Sequence, residues 1–163
     1  MAASQRYLKL LQFLEVSSST VPTIEQAWEL LQQDYRTKKV GVRNTVWVCA
    51  STACKLLQEQ KYNANLFEDM KDLHIRKNAG YSGLHEDPFY NFRQVEKFGI
   101  STQDGIIARL TDKYQRYINV KANPELDKVQ ESFTDTLTDM ISYCLILYCV
   151  MEEDAATAKE KEI

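Results

Sequence analysis

The chain has 163 residues, 44% of them hydrophobic and 26% charged, which suits one globular domain with a continuous core and leaves little room for a second. Its formal charge of -3 and pI near 5.5 exclude the overall basic field that holds a protein on duplex nucleic acid. The longest apolar run is the octet 144–151, well short of a membrane span, and the amphipathic start MAASQRYLKLLQFLE lacks the unbroken stretch of a secretion signal, so a soluble, cytoplasmic protein is expected.

In chain order, the periodicity predicts helices joined by short loops, and with only 5 Gly and 3 Pro a mostly helical chain is expected. The first helix covers about 5–15 and ends in the run Ser17, Ser18, Ser19, Thr20. Thr23 with Gln26 forms a capping box that opens a helix to about residue 38. Asn44 opens an apolar helix to about residue 60, and Asn65 with Glu68 repeats the capping pattern for a helix that fades at Asn78-Ala79-Gly80. Asp87 before Pro88 is a start signal, Gly99 a stop, and Ser101 with Asp104 begins a helix to about residue 120. Asn123-Pro124 then starts the last and longest helix, which passes Met151 and ends in a charged tail, 153–163. No segment alternates with period two, so no strand is predicted, and there is no internal repeat. The fold class is all-α, a bundle of about six to seven helices forming a single domain.

The four cysteines fall in two pairs, Cys49 with Cys54 and Cys144 with Cys149, at a spacing of five that fits neither a CxxC redox motif nor a zinc knuckle. Set among Val, Ala, Leu and Tyr, they read as small hydrophobes, and His74 and His85 supply no metal-ligand pattern.

Two helices carry candidate chemistry. On the last, Leu126, Val129, Phe133, Leu137, Met140 and Cys144 make a core stripe, while Asp127, Glu131, Asp135 and Asp139 recur every four residues, with neighbours stacked about 6 Å apart. This is either a solvated acidic face or the wall of a cleft. In a cleft the row calls for a cation, and Mg²⁺ with its oxygen ligands is the candidate. The preceding helix places Arg109, Asp112, Lys113 and Arg116 on one strip, suited to phosphate oxygens or to ordinary ion pairs. Together the strips could bracket a metal-phosphate group or form an interhelical salt-bridge network; spacing does not separate the two.

The stretch NAGYSGLHEDPFYN (78–91) is the least regular and the natural place for a functional loop. Tyr81, Phe89, Tyr90 and Phe92 are candidates to stack on a nucleobase, with Asn78 and Asn91 reading its edge; core anchoring is the other fate of such aromatics, above all for Phe89 and Phe92.

The segments AGYSG (79–83), DPFYNF (87–92), GIS (99–101), RLTDKYQR (109–116) and ESFTDTLTDMISY (131–143) resemble a bacteriophage and bacterial family, the nucleotide-modification-associated domain proteins. That family is similar to the MazG-like all-α nucleotide pyrophosphohydrolases. The resemblance covers residues 75–152; residues 1–74 carry helices of unknown role. It implies a helical bundle, often oligomeric, in which Mg²⁺ held by helix carboxylates promotes cleavage of a nucleoside triphosphate to monophosphate and pyrophosphate. Glu131, Asp135 and Asp139 would be the catalytic metal ligands, with Asp112 a fourth, and Arg109, Lys113 and Arg116 would meet phosphates. MazG-like enzymes present an ExxE pair on one helix and an ExxD pair on another, and no clean ExxE precedes the row here. Three functions follow as expectations: a Mg²⁺-dependent nucleotide pyrophosphohydrolase acting in the cytoplasm, of a host cell if phage-encoded; a metal-free module that sequesters a nucleotide or other phosphorylated small molecule; or a structural helical protein. A homo-oligomer is expected if the apolar surfaces 46–57 and 143–151 exceed what one bundle can cover.

Overall fold

The computed structural model describes residues 4–16, 20–60, 65–83, 85–127 and 133–162. These form seven α-helices and, among the described residues, no strand: α1 Ser4–Val16, α2 Ile24–Arg36, α3 Val42–Gln60, α4 Leu66–Ser82, α5 Tyr90–Arg93, α6 Thr102–Ala122 and α7 Phe133–Lys161. The all-α bundle read from the sequence is the fold observed. Ser17, Ser18 and Ser19 of the first expected helix end, and Val129 of the expected core stripe, lie outside the described residues.

Capping chemistry sets several boundaries. Thr23 Oγ1 accepts from the Gln26 amide at 3.1 Å while the Gln26 side chain accepts from the Thr23 amide at 3.0 Å, completing the expected box. Ser101 Oγ accepts from the Asp104 amide at 3.0 Å and starts α6. Gly99 ends the 3-10 turn Gln94–Phe98 that extends α5, with a φ of 79° that a side chain would strain.

Helix α7 is the axis. It packs chiefly against α3 and α6, α2 lies on α3, and α1 reaches α3, α4 and α7. Contacts from Gln103 to Asp154 and from Lys113 to Asp139 show α6 and α7 running antiparallel. Leu137, Ile141, Leu145, Leu147 and Val150 are fully buried around several sides of α7, as a helix enclosed by neighbours requires. Fully buried Ala50 and Ala53 on α3 let the two backbones approach, and each large aliphatic side chain buried here is worth about 1.5–3 kcal/mol. Trp28 of α2 stacks on Tyr114 of α6 with centroids 4.3 Å apart, closing the core on that side.

Four expectations change. The last helix does not start at Asn123: Pro124–Leu126 is a separate 3-10 turn, Asp127 leaves helical conformation, and α7 begins at Phe133. Asp127 therefore does not share a helix with Asp135 and Asp139. Helix α4 does not fade at Gly80 but continues to Ser82, because Gly80 keeps helical φ and the break comes at Gly83 with φ of 60°. The 153–163 tail is helical through Lys161. Asp87 does not cap α5 directly; its Oδ1 accepts from the Phe89 amide at 2.9 Å and forms the turn leading into the helix.

By length and mean hydropathy α7 is able to cross a bilayer, although no continuous apolar run is long enough; here it is the core helix, with 56% of its apolar window buried. The stretches 46–57 and 143–151 cover one another within one chain: Val46, Cys49, Ala53 and Leu57 are buried, as are Ile146, Cys149 and Met151.

Candidate functional site

One cleft gathers several of the residues singled out in the sequence: Asn78, Tyr81, Phe89, Asn91, Phe92, Arg109 and Asp139. Helix α4 contributes Leu73, His74, Lys77, Asn78 and Tyr81, which share a face by three- and four-residue spacing. Pro88, Phe89, Asn91 and Phe92 come from the turn and α5, Arg109 from α6, and Asp139, Ser142, Tyr143 and Ile146 from α7. The cavity measures about 110 Å³. That is below the 300–1,000 Å³ typical of pockets enclosing a whole drug-sized ligand and is nearer the space of one planar ring.

The wall is held by an interlock between α4 and the turn. Asn78 Nδ2 donates to the Pro88 carbonyl, and the Ser82 hydroxyl lies 3.0 Å from that carbonyl and 3.1 Å from Asn91 Oδ1, its one proton serving either acceptor. Arg93 secures the other side of the turn, with Nε 3.0 Å from Asp87 Oδ2 and its guanidinium paired with Glu153 of α7. Both asparagines expected to read a base edge are tied into the wall by these contacts. The Asn78 side-chain carbonyl and the Asn91 amide nitrogen take no part in these bonds.

The floor is apolar and neutral. Phe89 is fully buried, so of the two fates open to it core anchoring holds, and Phe92 meets Tyr143 edge to face at 6.3 Å. Tyr81 stands at the mouth, 70% exposed. His74 stacks on Tyr7 with centroids 3.8 Å apart, and burial pushes its pKa down to about 4, so it is uncharged at neutral pH. Burial likewise pushes the Tyr7 phenol up to about 12, and its oxygen bonds to Ser142 Oγ at 2.8 Å.

Charge enters from one side. The Arg109 guanidinium lies over the Phe92 ring, 4.8 Å from its centroid, and among the described residues it has no carboxylate partner. Asp139 is bound by two ammonium groups: Lys77 Nζ at 3.2 Å from Oδ1 and Lys113 Nζ at 2.8 Å from Oδ2.

The remaining candidates lie elsewhere. Arg116 pairs with Asp127 at 2.8 Å, which settles that part of the two strips as a salt bridge. Asp112 and Asp135 are exposed and not in the cleft lining, and Glu131 lies outside the described residues. Among the described residues no three Asp, Glu, His or Cys side chains converge to hold a metal ion. Of the acidic row, each Asp139 oxygen is on a lysine and Asp127 is drawn to Arg116. Lys77 and Ser142 were not singled out in the sequence, and His74 was named there only as lacking a metal-ligand pattern. Lys77 and His74 already fall inside the helix expected from the sequence, and their spacing to Tyr81 and Asn78, four residues in each case, was the available signal. Comparison of the chain with protein-family models, with curated proteins and with solved structures gives no match.

Proposed function

We propose that this protein binds a small phosphorylated molecule bearing one aromatic ring, a nucleotide being the leading example, and that it holds the molecule without a metal ion. The supporting observation is the Arg109 guanidinium, without a carboxylate partner among the described residues, stacked on Phe92 in the wall of a cleft that also offers two amide ends. A cavity of about 110 Å³ takes the ring, the Asn78 carbonyl and Asn91 amide offer it an acceptor and a donor, and exposed Tyr81 can cover it. The phosphate then stays at the rim, where Arg109 presents a planar fork and Lys77, half exposed, a mobile point charge. Such a ligand belongs to an aqueous compartment, and the reading takes the protein as soluble and cytoplasmic, with α7 as its buried core.

The Mg²⁺-dependent pyrophosphohydrolase is the second reading. It draws on the resemblance in residues 75–152 and on Asp135 and Asp139 standing one turn apart on α7. It requires Asp139 to leave both lysines.

Titration with nucleoside mono- and triphosphates and the parent nucleosides, with and without Mg²⁺, separates the readings when bound ligand and products are both read by mass spectrometry. Binding of an intact nucleotide without Mg²⁺, weakened about ten- to a hundredfold by Arg109→Ala while nucleoside binding holds, is the expected result. Mg²⁺-dependent release of pyrophosphate would transfer the assignment to the enzyme, and absence of all binding would refute both.

A further inference from the structure

Asp139 does more than line the cleft. Its two oxygens are each taken by an ammonium from a different helix, Lys77 of α4 at 3.2 Å and Lys113 of α6 at 2.8 Å. The Asp139 side chain is 19% exposed and Lys113 25%, so the cluster is shielded enough for its charges to matter. Lys77 is 51% exposed and its four-carbon stem can re-aim the ammonium without repacking the bundle. A carboxylate edge spanning two ammonium groups presents the same pattern as two oxygens of a phosphate: negative charge, no donor, and acceptors a few ångströms apart.

We infer that Asp139 is a built-in counter-anion, which occupies the Lys77–Lys113 pair in the free protein and gives it up when a ligand's phosphate takes its place. The inference rests on the phosphate-binding reading above and adds a threshold to it. A ligand must displace an internal carboxylate, which a phosphate dianion with three oxygens does and a single ligand carboxylate does not. Asp139 therefore selects phosphate esters over carboxylates, while neutral rings are indifferent to it. It also separates this role from that of a metal ligand: neutralising Asp139 strengthens anion binding here, whereas it would abolish a metal site.

The test compares the wild-type chain with Asp139→Asn, which keeps shape and hydrogen-bonding capacity, using inorganic phosphate, phenyl phosphate, benzoate and phenol at fixed ionic strength. The variant should bind both phosphates about tenfold tighter or better, should gain measurable affinity for benzoate, and should bind phenol unchanged. Wild-type binding of phenyl phosphate with no gain, or a loss, in the variant overturns the inference and leaves the binding reading standing. Failure of both proteins to bind any probe overturns the binding reading and the inference with it. If the variant does not fold, the wild type decides: the Asp139 carboxylate carbon resonance should shift on saturation with phosphate as the lysines leave it, and an unmoved resonance overturns displacement.

Discussion

His74 and Tyr7 stack ring on ring inside the bundle, and the two titrate in opposite directions for one reason: each is held in its uncharged form by burial. For His74 the folded pKa, about 4, lies below the unfolded value of 6.5, so the unfolded chain takes up its proton first. Its contribution is intact above pH 6.5, erodes as pH falls, and is gone by about pH 4. The loss is on the order of 3 kcal/mol at most, since a tenfold difference in proton affinity between the folded and unfolded chain is worth about 1.4 kcal/mol. Urea melts from pH 7 to pH 4 should show this acid limb in the wild type and a flatter one in His74→Phe, which keeps a stacking ring. Equal slopes would mean that His74 ionises in the folded state without cost. Asn78 makes a different point about legibility. The sequence offered it as a base contact in a loop; it lies on α4 instead, and its bond to the Pro88 carbonyl joins positions that only the closed turn brings together.

Helices whose ends rest on local chemistry were legible, and those whose ends rest on tertiary packing were not. Thr23, Ser101 and Gly99 act on neighbours within three residues, and all three ends fall where the sequence put them. The stop expected at Gly80 failed because glycine ends a helix by adopting positive φ, and Gly83 does so while Gly80 does not. Asn123-Pro124 carries a true start signal, but the helical turn it opens stops at Leu126, where Asp127 turns toward Arg116 on α6. Asp127 left the acidic row by the same event. Replacing Thr23 with Ala removes the bond its hydroxyl accepts from the Gln26 amide, leaves the backbone bond to the Gln26 side chain, and should cost about 1 kcal/mol in denaturant melts, and Gly99→Ala about as much through its positive φ. If neither midpoint moves, these ends are set by packing after all.

Across the whole molecule, the four cysteines mark the central seam: Cys49 and Cys54 on α3, Cys144 and Cys149 on α7, all buried and unpaired with one another as disulfides. Burial pushes the Cys54 thiol up to about 11 and those of Cys49 and Cys149 up to about 12, so none is reactive in place. A thiol reagent at pH 8 should leave the native protein unlabelled and modify all four together, at the rate of global unfolding. Fast labelling of one pair would reveal an opening of the seam smaller than unfolding. The seam joins helices far apart in the chain, and α7, its larger partner, follows every other helix in sequence. On the ribosome, α3 emerges with its apolar face complete while the segment that covers it is still unmade. Through most of translation that face is the surface a chaperone meets, and the bundle closes only as α7 leaves the exit tunnel.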